Sequence, residues 1–218
     1  YGNSESILGT AGLSGWQVVS KLPAFPENAS DLSAWAHEAV TGALNRLGID
    51  QLYGLLLHRS QQLLGPRGTE LYKAICRLKK EGLVRKIGIS VYGPEELADL
   101  TAQFRFNLVQ APYSVVDRRL ADSGMLTRLK EQGVEVHVRS VFLQGLLLMP
   151  ATERPAQFAR WQGLWEKWDS WLRETGLTPL QACLRFALAQ PEVDRAIVGV
   201  DSLAQLCEIV AAAPGHLP

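Results

Sequence analysis

The side chains with the clearest chemical potential in this sequence sit at the ends of short apolar runs. Lys21, His58, Ser90, Gln110 and Ser140 each stand at or near such an end, where polar groups gather when several strands deliver them to one edge of a sheet. Lysine and histidine move protons and stabilise negative oxygen, while serine and glutamine hydrogen-bond in both directions. Tyr1 adds a phenol. A tyrosine is a poor acid at an unperturbed pKa near ~10, but a nearby ammonium stabilises the phenolate and lowers that value. These are residue types suited to protonating an oxygen that gains charge during a reaction.

Alternating strands and helices must position these groups. Apolar runs at 17–21, 52–58, 86–90, 107–113, 135–141 and 195–200 read as strands, several of them nearly continuous in Val, Ile and Leu, as strands buried on both faces should be. Between them, Leu32, Trp35, Ala36, Ala39, Val40, Ala43, Leu44 and Leu47 recur at helical spacing and form one apolar stripe. Ser30 or Asp31 would cap that helix and Gly48 would end it. Leu71, Ile75 and Leu78 mark a second helix ending at Gly82. Pro94 opens a third at a first-turn position, with Glu95 and Glu96 suiting the positive end of the helix dipole. Further helices are expected over 125–132, 156–174, 179–189 and 203–212. Trp161, Trp165, Trp168 and Trp171 share a face of the 156–174 helix and read as core packing or as a wall of a small-molecule pocket, while Arg118 and Arg119 read as a solvated turn.

Bulk properties narrow the function classes. The 218 residues carry 22 basic and 22 acidic side chains, so no net charge draws the chain to nucleic acid or an anionic membrane. Apolar stretches such as 142–148 are too short to span a bilayer. Cys76, Cys183 and Cys207 have no metal-ligand spacing and read as core filler in a reducing, cytoplasmic compartment. No low-complexity stretch or linker divides the chain, so a single domain over 1–218 is expected.

Repeated βα units imply a parallel sheet with right-handed crossovers. An open doubly wound sheet would favour a Gly-x-Gly-x-x-Gly turn after a first strand, and the sequence has none. Polar residues at several strand ends favour a (β/α)8 TIM barrel instead. Six strands fall short of eight and would leave two open edges. The expectation is therefore an α/β barrel whose first two strands are missing from this chain.

Several motifs in order carry a family resemblance: Tyr1-Gly2 with Glu5, Ile7 and Gly9; Val18 to Lys21; Leu44 to Asp50 leading to Leu55 to His58; Gly82 to Ser90; Val109-Gln110; Arg139-Ser140 with Gln144, Gly145 and Leu146; and Ile197 to Gly199 before a helix. On these the chain resembles the aldo-keto reductases, (β/α)8 barrel oxidoreductases that move a hydride between a nicotinamide cofactor and a carbonyl. The resemblance implies Tyr1 as general acid, Lys21 as the ammonium that tunes it, and His58 as the group orienting or polarising the carbonyl. It also places a catalytic aspartate five residues before Tyr1, outside this sequence.

By the same resemblance, Ser90 and Gln110 would hold the nicotinamide carboxamide. The family commonly has asparagine after that serine; here it is Val91. Arg139 stands where an aromatic ring often stacks on the nicotinamide, and a guanidinium plane can stack too. Ser140, Leu143, Gln144, Gly145 and Leu146 match the loop over the pyrophosphate. Gly199, Asp201, Ser202, Gln205 and Glu208 fall at the adenosine end. Many relatives grip an NADP 2′-phosphate there with lysine and arginine. An acid at Asp201 favours a free 2′-hydroxyl, as in NAD, unless Asp201 caps the last helix.

The expected function is reduction of an aldehyde or ketone by NADPH, with NADH as the alternative. Resemblance to bacterial members of surface-sugar pathways suggests a sugar-derived substrate. The partner expected is this small molecule, with neither nucleic acid nor membrane, and the oligomeric state is left open. A rival reading is a catalytically impaired, nucleotide-binding regulatory or scaffolding member of the fold. It is motivated by Val91, Arg139 and the absent aspartate.

Overall fold

The computed structural model describes residues 2–218; Tyr1 lies outside the described residues. Six strands, β1 (Val19–Leu22), β2 (Leu52–Leu57), β3 (Val84–Ser90), β4 (Leu108–Pro112), β5 (Glu135–Arg139) and β6 (Arg195–Ala196), form one sheet in chain order. The pairings of β1 with β2, β2 with β3, β3 with β4 and β5 with β6 are parallel. Each strand falls within or close to its expected run. The last is much shorter, because past Ala196 the chain leaves the ladder. Among the described residues, no helix is long and apolar enough to cross a membrane.

The chain gathers into two compact units. One holds the described residues through Ala111 together with Arg128–Glu135; the other holds Pro112–Thr127 and Val136–Pro218.

In the first unit, α2 (Leu32–Leu47) buries Leu32, Ala36, Val40, Ala43, Leu44 and Leu47, the stripe read from the sequence. Asp31 is its cap, accepting from the backbone N–H groups of Ser33 and Ala34 at 2.8 and 2.9 Å, and Gly48 closes it at φ 65°. α3 (Gly68–Lys80) buries Leu71, Ala74, Ile75 and Leu78. Pro94 opens α4 (Pro94–Gln103) as expected.

A helix the sequence reading did not anticipate, α1 (Ser4–Ala11), buries none of its side chains. It is docked by polar and steric contacts instead. Glu5 accepts from the Ser20 hydroxyl at 2.7 Å and pairs with Arg46 at 2.8 Å, and a Cβ at Gly9 would lie 2.2 Å from the Arg46 carbonyl oxygen.

In the second unit lie α5 (Arg119–Asp122), the first residues of α6 (Met125–Glu131), α7 (Gln162–Thr175), α8 (Pro179–Leu188) and α9 (Leu203–Ala212). The stretch read as a solvated turn ends in the short α5, with Arg119 paired to Asp117 at 2.8 Å. The tryptophan helix begins later than its spacing suggested: residues 156–161 form a 3-10 turn and only Trp165 is buried. Arg154, 8% exposed, stacks over the Trp165 ring at 4.6 Å and grips Asp169 with both terminal nitrogens. Thr178 and Gln181 form a reciprocal capping box on α8.

Candidate active site

The register fixes which residues share a face in the first unit. Lys21 pairs with Leu56, Leu56 with Gly88, and Gly88 with Leu108. Side chains alternate along each strand, so His58, Ser90 and Gln110, two residues further on, project from the same face one row higher. His58 continues the ladder past β2 by donating its backbone N–H to the Leu22 carbonyl at 3.0 Å. Ser90 and Gln110 are direct register partners. Four residues singled out by type are thus brought to the C-terminal end of one face.

The Ser90–Gln110 pair has an unusual environment. Both residues are only 5% exposed, and neither the Ser90 hydroxyl nor the Gln110 amide is among the fully enclosed polar atoms left without a partner, so the little exposure they keep lies at their polar ends. A hydroxyl beside a primary amide presents both donors and an acceptor, complementary to a carboxamide. The donor set therefore fits the nicotinamide end of a dinucleotide. Val91 is fully buried, and its backbone N–H donates to the Gln110 carbonyl at 2.9 Å. Its side chain packs and offers no hydrogen bond.

Two residues that sequence reasoning did not connect with the site hold this segment in place. The Ser60 hydroxyl lies 2.6 Å from a Glu96 carboxylate oxygen and 3.1 Å from the Ser90 carbonyl. The second Glu96 oxygen accepts the Tyr92 backbone N–H at 2.9 Å. Glu96 was legible only as an acid in a first helical turn.

In the second unit, the segment expected to cover a pyrophosphate is where the backbone is most strained. Ser140 (φ 61°), Leu143 (φ 49°) and Gln144 (φ 54°) are the non-glycine residues with positive φ among those described, and Gly145 follows at 86°. L-residues visit this region at a cost, and such outliers cluster at ligand-binding segments. Leu146 is buried beneath the turn, and Arg139 donates to the Ser140 hydroxyl at 3.3 Å.

At the start of α9, Ser202 is the cap and accepts from the Gln205 N–H at 3.2 Å. The Gln205 side chain accepts the Asp201 N–H at 2.8 Å. Asp201 is therefore not the capping residue, and its carboxylate is exposed; Gly199 and Glu208 are exposed as well. Tyr1, the expected acid, lies outside the described residues.

A profile of the Aldo/keto reductase family matches residues 1–217. The chain belongs to that family. An aldo-keto reductase from Bacillus halodurans, solved in an apo form, is 25% identical, with a TM-score of 0.76 over 98% of this chain and 72% of its own. Its holo form gives the same score and identity, covering 98% and 73%. An uncharacterised oxidoreductase of Bacillus subtilis, YqkF, is 26% identical over 83% of this chain and 60% of its own length. The chloroplastic pyridoxal reductase of Arabidopsis thaliana is 34% identical over 45% and 29%. The chain thus spans about three fifths of the length of its Bacillus subtilis relative.

Proposed function

We propose that this chain carries the site of an oxidoreductase that reduces an aldehyde or ketone, sugar-derived carbonyls among them, with NADPH or NADH as hydride source. On this reading the fold is a (β/α)8 barrel completed by two strands ahead of β1, and the protein works as one domain in the cytoplasm. The observation that carries the proposal is the register pair Ser90–Gln110, each 5% exposed with its polar end accessible, on the same sheet face as Lys21 and His58.

When bound, the nicotinamide supplies the hydride. Ser90 and Gln110 hold its carboxamide, which fixes the ring. His58 donates to the carbonyl oxygen and polarises it as charge develops. Lys21 stabilises phenolate character on Tyr1, and Tyr1 gives its proton to the new alkoxide. Arg139 and residues 140–146 in the second unit offer a cation and a preformed turn for the dinucleotide. Gly199, Asp201, Ser202, Gln205 and Glu208 suit its adenosine end, where the exposed Asp201 carboxylate favours NADH.

Paired titrations with NADPH and NADH, followed by tryptophan fluorescence, test the cofactor half. Saturable binding of one is expected, and binding of neither overturns the proposal. Turnover of aldehydes lost in Tyr1→Phe and Lys21→Met tests the chemistry. Val91 supports a second reading, a nucleotide-binding regulatory member, and saturable binding without turnover would favour it.

A further inference from the structure

We infer that Ser60 and Glu96 are positioning residues for the nicotinamide end of the site, locking the loop after β2 to the loop after β3. The inference rests on the reading that Ser90 and Gln110 hold the carboxamide. Ser60 opens the 3-10 turn Ser60–Leu64, two residues after His58. It is 1% exposed, deeper than surface capping requires. Its single hydroxyl proton faces two acceptors, the Glu96 carboxylate at 2.6 Å and the Ser90 carbonyl at 3.1 Å. The proton is shared in a three-centre bond, its shorter arm strengthened by charge.

Glu96 in turn holds the Tyr92 N–H at 2.9 Å, and Val91 between these anchors is tied to the Gln110 carbonyl at 2.9 Å. Residues 90, 91 and 92 are therefore each held at a backbone atom, by Ser60, Gln110 and Glu96. This matters because the Ser90 hydroxyl moves with that backbone. A carboxamide must find it already in place, and pre-set donors bind more tightly than mobile ones. The Val91 side chain cannot add a hydrogen bond, so the backbone anchors carry the alignment. The same hydroxyl fixes the start of the turn that follows His58, coupling the carbonyl-facing group to the cofactor-facing one.

The test separates the nicotinamide end from the rest of the nucleotide. Ser60→Ala, Glu96→Ala and Glu96→Gln are titrated with NADPH and NADH, and in parallel with 2′-phospho-ADP-ribose and ADP-ribose, which lack the nicotinamide. Ser60→Ala and Glu96→Ala should raise the Kd of the preferred complete nucleotide about tenfold, a loss of about 1.4 kcal/mol, while the truncated probes stay within about twofold. Glu96→Gln should restore most of the affinity, since its amide can accept the Tyr92 N–H and donate to Ser60. Half-exposed Glu96 tolerates truncation, so Glu96→Ala decides the matter if Ser60→Ala fails to fold. Equal weakening of complete and truncated nucleotides, or no change in either, overturns the inference. Failure of the unmodified protein to bind any of the four would overturn the cofactor reading itself.

Discussion

Gly88 sits directly beneath Ser90 on the site face, and replacing it by alanine is the sharpest structural test. A Cβ there would lie 2.0 Å from the Leu108 carbonyl oxygen, 2.8 Å from its carbon and 2.9 Å from Leu56 Cδ2, where ordinary contact begins at 3.4 Å. The first two obstacles are backbone, so no rotamer change relieves them; β3 must move away from β4. That strains the ladder at Gly88–Leu108, Ile89–Val109 and Ser90–Gln110, and loss of two of its hydrogen bonds costs about 2 kcal/mol. Overpacking adds about 1–3 kcal/mol, giving a total of roughly 3–5 kcal/mol.

Gly54 on the same face is the control. Its Cβ would meet only side-chain atoms, Leu108 Cδ2 at 2.8 Å and the Val19 methyls at 3.3 and 3.4 Å. Gly54→Ala should cost about 1 kcal/mol or less, because methyl groups can shift and alanine restricts the unfolded chain. Guanidinium unfolding measures both. At a slope of about 5 kcal/mol/M, the midpoint of Gly88→Ala should fall by about 0.6–1 M, and its nicotinamide nucleotide affinity should fall too, because Ser90 rides on the displaced strand. A Gly88→Ala midpoint matching that of Gly54→Ala, with an unchanged slope, would refute the close strand approach and the alignment argued from it.

Breaking the Arg154–Asp169 pair should be costly at neutral pH. Hydrogen bonding from Arg154 holds the Asp169 carboxyl below its ordinary range against the opposing effect of burial. Asp169→Asn should therefore destabilise by about 3 kcal/mol near pH 7, leaving Arg154 buried and uncompensated. A depressed carboxylate contributes its stability above its unfolded pKa and loses it as pH falls through the folded value. The gap between variant and parent should begin to narrow below about pH 3.9 and close as pH falls through the lower folded value; a gap constant down to pH 2 would count against the assignment. Glu5→Gln should loosen α1, speeding amide exchange there more than in α2, because α1 has no buried side chain to hold it. Burial pushes the Cys183 thiol up to about 12, so iodoacetamide at pH 8 should modify the exposed Cys207 and leave Cys183 intact unless the protein unfolds.

Much of the fold was legible because burial writes a period into the chain. The α2 stripe, its Asp31 cap and its Gly48 stop follow from spacing and local backbone chemistry alone. The α1 helix was not legible for the converse reason: with no apolar face, it is held by Glu5 and Gly9 against partners distant in sequence. The tryptophan spacing misled because equal spacing does not say which members face the core. Trp165 is buried beneath Arg154, while Trp161 is 41% exposed. On the candidate site face, Lys21, His58, Ser90 and Gln110 stood out by type and position, but Ser60 and Glu96 did not. A serine opening a turn and a glutamate in a first helical turn have ordinary local explanations, and only the fold brings them together at 2.6 Å.

The first unit divides its chemistry between the two ends of its strands. At the C-terminal end of the site face, polar side chains stand above a row containing Leu56, Gly88 and Leu108, packed so closely that one added methyl would collide with backbone. At the opposite end, Lys86 is held by Glu135 and by the Tyr53 hydroxyl, and Tyr53 donates to Glu135 at 2.7 Å. Removal from water lowers the Lys86 pKa, but these hydrogen bonds outweigh it and the net shift is upward, so this ammonium stays protonated and paired. The two lysines lie at opposite ends of the strands. Lys86 is committed to a carboxylate at the end where stability is built. Lys21 stands on the row below His58, at the C-terminal end of the same face.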